Sequence, residues 1–162
     1  MNRDIIELHI GLQSKEREDL CEILQRLLAS SYALYLKTQN FHWNVTGPAF
    51  HSYHLMFQDQ YEELAEAIDE IAERIRMLGE YPEGSFESFT KISLIKCAKE
   101  VLPPLQMMET LLHDHETVIR YLRDKLPYAE KVEDGATADF INKRLAVHEK
   151  TAWMLRSSLT QF

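Results

Sequence analysis

The stretch FQDQYEELAEAIDEIAERI, residues 57–75, decides the fold class. Phe57, Tyr61, Leu64, Ile68, Ile71 and Ile75 recur at three- and four-residue steps, which lines one face of an α-helix, while acids and glutamines fill the rest of the surface. Extended outward, the pattern predicts a helix from about Phe50 to Leu78, about 40 Å long at ~1.5 Å per residue. Gly79 follows as a C-terminal cap. Upstream, Leu20, Ile23, Leu24, Leu27, Leu28, Leu34 and Tyr35 carry a similar stripe in a first helix starting near Ser14. Ser14 reads as its N-cap, and Glu16, Glu18 and Asp19 suit the positive end of a helix dipole. Gly47-Pro48 forces the end, so His42 falls in the last turns or just beyond.

Downstream the pattern weakens from Glu80 to Glu100, where Pro82 and Gly84 interrupt it and only Phe86 to Phe89 and Ile92 to Ala98 suggest short helical pieces. Pro103-Pro104 then opens a third long helix whose stripe of Leu105, Met108, Leu111, Leu112, His115, Ile119 and Leu122 is expected to stop at Leu126-Pro127. After Glu133-Asp134-Gly135, the series Ala138, Ile141, Leu145, His148, Ala152, Leu155 and Leu159 marks a fourth helix. Two short links and one long one describe an all-α four-helix bundle with a single crossover between helices two and three. The 162 residues, 45% of them hydrophobic, suit one domain over 1–162, with 1–13 as a short N-terminal extension.

A formal charge of −8 argues against gripping nucleic acid with the whole surface, since phosphate binding rests on Lys and Arg. The same sign is compatible with a metal cation as partner. Cys21 and Cys97 are far apart and form no CxxC pair, so they suggest two reduced, mostly buried thiols rather than a zinc knuckle or disulfide frame. Residues Met1 to Leu12 are broken by Arg3, Asp4 and Glu7, and no stretch approaches the ~18 apolar residues of a membrane span. A soluble cytoplasmic protein is expected.

On a helical wheel, His54, Gln58, Glu62, Asp69 and Glu73 share one arc about 100° wide. This arc lies between the apolar stripe and the solvated Asp59, Glu63, Glu66 and Glu70. Two readings stand at this point: a solvated acidic edge, or an edge covered by a neighbour, where buried carboxylates need a cation. Carboxylates and imidazoles with oxygen in the majority suit iron or manganese better than structural zinc. The Gly-Pro link draws His42 and His54 toward one another. His113-Asp114-His115-Glu116 also looks metal-like, but His115 falls on the core stripe and its neighbours toward solvent. That cluster and His148 are left out of the site.

The run Asn40-Phe41-His42-Trp43-Asn44-Val45-Thr46-Gly47 resembles the signature of the Dps family, the DNA-protection-during-starvation miniature ferritins. His54, Asp69 and Glu73 follow His42 by 12, 27 and 31 residues, and both Ala67 to Ile75 and His148 to Arg156 are similar to family segments. The resemblance covers roughly Leu20 to Leu159. It implies a ferritin-like bundle and a dodecameric shell, with a di-iron ferroxidase centre between subunits. His42 and His54 of one chain would face Asp69 and Glu73 of its two-fold mate. Ferrous iron, oxidised preferably by hydrogen peroxide and otherwise by oxygen, would be stored as ferric oxo-hydroxide mineral.

One position departs from the family pattern. An acid is expected four residues after the second histidine, and Gln58 stands there. An amide carbonyl can ligate but brings no charge, so Glu62, one turn on, joins the candidate ligands. Trp43 is implied to lie near the centre and take up oxidising equivalents, although interface packing accounts for it as well. Asp139 and Asp134 match the acids that line the family's three-fold pores, and pairing with a helix N-terminus explains them equally simply. A competing reading is a DNA-compacting shell. Against it, only Arg3, Lys15 and Arg17 precede Leu20, facing five acids, and no basic tail follows. A third is a shell that binds zinc or iron without oxidising it.

Overall fold

The protein was analysed as a computed structural model that describes residues 8–98 and 100–160. Four long helices and one short one make up its regular structure: α1 (Ser14–Asn44), α2 (Phe50–Met77), α3 (Phe86–Ile92), α4 (Pro104–Lys131) and α5 (Gly135–Leu159). No strand occurs among the described residues. α1 and α2 form one hairpin, α4 and α5 another, and the crossover carries α3 across α1. This is the ferritin-like bundle expected from the link lengths. The N-terminal extension falls partly outside the described residues.

The ends of the helices have local causes. Between α1 and α2, Gly47 adopts φ +104°, a left-handed backbone that a side chain would strain, and its carbonyl accepts from the Phe50 N–H at 3.0 Å. Gly79 closes α2 at φ +97°, and a Cβ there would lie 2.9 Å from the Arg17 guanidinium. Arg17 itself donates to the Leu78 carbonyl, a free acceptor at the helix end.

Three boundaries differ from expectation. The N-cap of α1 is Gln13, whose N–H donates to the Glu16 carboxylate at 2.8 Å, while Ser14 is already helical and accepts from Arg17. α4 runs through Pro127 to Lys131. Proline removes only one backbone donor there, and the last turn is held by buried Ala129 and by the Tyr128 hydroxyl donating to Asp19 at 2.8 Å. Residues 93–98 are not helical, because the Ser93 hydroxyl accepts from the Ile95 N–H at 3.0 Å and competes with a helical turn.

The core is in two parts. One cluster, including Leu20, Leu24, Leu27, Ile71, Ile75, Leu122 and Ile141, fills one end of the bundle. A second, including Leu34, Phe41, Phe57, Leu64, Met107, Leu111 and Leu155, fills the other. Within and between these clusters each long helix contributes buried polar side chains: Lys37 from α1, Gln60 from α2, Asp114 and His115 from α4, Arg144 and His148 from α5. The bundle therefore carries a layer of buried polar side chains beside its apolar ones, which places a high demand on hydrogen-bond pairing.

Candidate metal centre

The Gly47-Pro48 turn brings the end of α1 against the start of α2, and two histidines meet there. Their rings stack at 3.7 Å between centroids with an interplanar angle of 20°. His42 Nδ1 lies 2.8 Å from the His54 carbonyl, and His54 Nδ1 lies 2.8 Å from the His42 carbonyl. A carbonyl oxygen can only accept, so both Nδ1 atoms carry hydrogen and both Nε2 atoms keep a lone pair. The exchange fixes tautomer and ring orientation together, as second-shell carbonyls do for metal-binding histidines. Tyr61 stands edge-on to His42 at 5.2 Å, and Phe50 packs against His54 at 5.0 Å.

The other candidates are elsewhere on the surface of α2. Gln58 donates from Nε2 to the Glu62 carboxylate at 2.7 Å. Asp69 and Glu73 are exposed. Fifteen residues separate His54 from Asp69 on one helix, roughly 22 Å at ~1.5 Å per residue, so no bending of a single chain unites them. Among the described residues, no group of three or more His, Cys, Asp or Glu is placed to hold a metal. One chain thus offers two half-sites, an imidazole pair and an acidic pair, on the same helix edge. Trp43 is 60% exposed beside the first.

Asp134 is the N-cap of α5. Its carboxylate accepts from the Thr137 N–H at 3.1 Å and from Arg74 at 2.8 Å through both oxygens. Burial pulls its pKa upward, yet the bonds from Thr137 and Arg74 outweigh burial and hold the carboxyl below its usual range. Asp139 is exposed one turn further on.

The sequence reading passed over the polar layer. Asp114 is buried and paired with buried Lys37, not turned to solvent. Burial raises its pKa more than the Lys37 contact lowers it. Glu63 is half-buried and receives both terminal nitrogens of fully buried Arg144. A signal was present: Arg144 sits three residues after Ile141 and four before His148, and Lys37 three after Leu34 and four before Phe41, all at core spacing. Cys21 is buried and its thiol is pushed up to about 11, first by burial and then by Glu80, whereas Cys97 is exposed, contrary to the expected burial.

The sequence matches the ferritin-like domain family over residues 21–162. It is 35% identical over 144 residues to DNA protection during starvation protein 2 of Bacillus anthracis, spanning 89% of this chain and 99% of the relative. The crystal structure of the Vibrio cholerae DPS protein superposes with a TM-score of 0.91 at 31% identity, covering 99% of this chain and 100% of that one. The chain belongs to the Dps family of miniature ferritins. This Dps protein is also similar to a low temperature-induced protein of Nostoc described as uncharacterized, 43% identical over 93% of this chain and 85% of the relative. The Vibrio Dps structure is described as belonging to a broad superfamily of ferritin-like diiron-carboxylate proteins. No described helix is long and apolar enough to cross a membrane.

Proposed function

We propose that this Dps protein oxidises ferrous iron at centres completed between two subunits and stores the ferric product inside a homo-oligomeric, dodecameric shell. The observation that carries the reading is the reciprocal hydrogen bonding of His42 and His54, which leaves two Nε2 lone pairs on one fixed platform. A second α2 running antiparallel, with its two-fold axis near Glu62, would set Asp69 and Glu73 of the mate opposite that platform. Two imidazoles then anchor the ferrous ions, and two carboxylates neutralise their charge and favour the ferric state. Glu62, held by Gln58, supplies a further carboxylate where the usual acid is replaced by an amide.

Iron is the substrate. Each of two ferrous ions gives one electron, hydrogen peroxide takes both as its O–O bond breaks, and two hydroxides result. Hydrolysis of the ferric ions releases protons and yields ferric oxo-hydroxide. Two ions side by side match a two-electron oxidant, so no hydroxyl radical needs to leave the site. Asp139, exposed near the start of α5, is the remaining candidate for drawing cations through a pore, since Asp134 is committed as a cap. Protection of DNA by this route needs no contact with it, which agrees with the net charge of −8. The place of action we propose is the cytoplasm.

The test is ferrous oxidation by metal-free protein with hydrogen peroxide, followed by absorbance, with iron then tracked through size-exclusion chromatography. Oxidation well above buffer, iron co-eluting with a large assembly, and loss of both in Asp69→Ala/Glu73→Ala are expected. Oxidation at the buffer rate by the intact protein would remove the proposal.

A further inference from the structure

Between α2 and α5 a cleft of about 520 Å³ opens toward the polar layer. Its walls are largely apolar, with Leu55 and Met56 on one side and Val147 and Met154 on the other. Polar side chains line it as well, and two of them are nearly fully buried. His115 is 2% exposed and Gln60 9% exposed. His115 Nε2 and both amide atoms of Gln60 are buried and have no hydrogen-bond partner among the described residues. Unmatched polar atoms of this kind cost about 1–3 kcal/mol each, so three of them on two residues that line one cleft point to a ligand that matches them.

The direction of each hydrogen bond follows from the chain behind His115. Arg144 is always protonated, so it donates to His148 Nε2 at 3.4 Å. His148 must then carry its hydrogen on Nδ1, which lies 2.9 Å from His115 Nδ1. His115 accepts there and carries its own hydrogen on Nε2. The unpartnered Nε2 of His115 is therefore a locked N–H donor, unable to offer a lone pair to a metal. Glu63 anchors the far end through both nitrogens of Arg144, which prevents the chain from reversing. Burial, and secondarily the Arg144 charge, pushes the His115 pKa down to about 3, so the imidazole is neutral.

We propose that this cleft binds a small uncharged molecule joining an apolar body to a group that both donates and accepts hydrogen bonds, as a primary carboxamide does. The ligand oxygen accepts from His115 Nε2–H and from the Gln60 NH₂, while its own N–H donates to the Gln60 carbonyl. Of the charged side chains lining the cleft, Glu63 is paired with Arg144, and Lys150 and Asp59 carry opposite charges, so the lining favours neither anion nor cation. A cleft of this size with few converging polar groups has the character of a small-molecule site. The inference is independent of iron chemistry, since it uses none of the candidate metal ligands.

The test titrates the assembled protein with benzamide and with N,N-dimethylbenzamide, which keeps the acceptor but loses the donor, by ligand-observed NMR and calorimetry. Benzamide is expected to bind with a dissociation constant near or below about 1 mM, and the dimethyl compound about tenfold more weakly, the worth of one hydrogen bond. Gln60→Leu and His115→Phe are each expected to abolish that discrimination, with size-exclusion chromatography and circular dichroism as checks that the assembly is intact. Equal binding of both compounds, no binding at 10-fold higher concentration (about 10 mM), or unchanged discrimination in the variants would each overturn the proposal. Absence of binding would leave the cleft as hydrated surface, and unchanged discrimination would place the ligand elsewhere.

Discussion

Two histidine pairs share this bundle and do opposite things. His42 and His54 each spend the Nδ1 hydrogen on the other's carbonyl, at 2.8 Å, so both rings present a lone pair. His115 and His148 spend Nδ1 on each other, at 2.9 Å, with Arg144 behind them, so no lone pair is left for a cation. The partner of one ring nitrogen thus sets what the other nitrogen can do. A carbonyl makes a ligand of histidine, and a guanidinium makes a donor of it.

The sharpest way to break this comparison is to remove one ring from each pair. His54→Ala is expected to slow ferrous oxidation about 100-fold, the scale seen when metal ligands or their supports are lost, while His148→Phe stays within about twofold because it touches no proposed ligand. Stopped-flow absorbance on both variants decides it. Equal losses would mean that the two pairs belong to one site.

Next in size is the anchor of the second pair. Arg144→Met leaves Glu63 without its partner and frees the His148 tautomer, at a cost of about 1.5 kcal/mol, the worth of a charged hydrogen bond whose stranded partner is half-exposed. Urea unfolding read by circular dichroism measures it. A loss below ~0.5 kcal/mol, the range of an exposed ion pair, would show that the network is not buried in the assembled protein.

A smaller effect separates the pairs by pH. Burial holds His115 near 3 and His148 well below the ordinary 6.5, in each case helped by neighbouring side chains. Below about pH 6.5 the unfolded chain binds protons that the folded chain refuses, so stability falls as the pH drops from 6.5 toward 3. Raised Asp114 works in the opposite sense, but it is common to the proteins compared. Wild type is expected to lose more urea resistance between pH 7.5 and pH 5 than His115→Phe/His148→Leu; parallel losses would assign the acid sensitivity elsewhere. The smallest effect is expected at the first pair's edge. Gln58→Glu adds a charge beside Glu62 and should tighten ferrous binding several-fold in competition titrations, whereas a weakening would show that the amide is a better fit for this centre.

Much of this was legible beforehand, and particular residues show why. The stripe from Phe57 to Ile75 encodes helix α2 because a 3.6-residue period has one buried face, and the links at Gly47-Pro48 and Asp134-Gly135 fix which helices are neighbours. The helical course of α4 past Pro127 was not legible, since local propensity says stop and only the packing of Tyr128 and Ala129 says continue. Glu63 was read as solvated because a wheel knows its own helix and not Arg144 on the one beside it. Asp114 was misplaced for the same reason, its partner Lys37 lying 77 residues away.

The sequence by itself determined the all-helical class, the order of the helices and the residues that share the His54-to-Glu73 edge, because periodicity and spacing are local properties of a chain. Tertiary structure alone decided which nitrogen of each histidine is free, that Asp134 is spent on Arg74 and Thr137, and that buried polar side chains pair inside the core. Those outcomes depend on what stands opposite each side chain across a helix interface, and a hydrogen bond has a direction that only its partner can set.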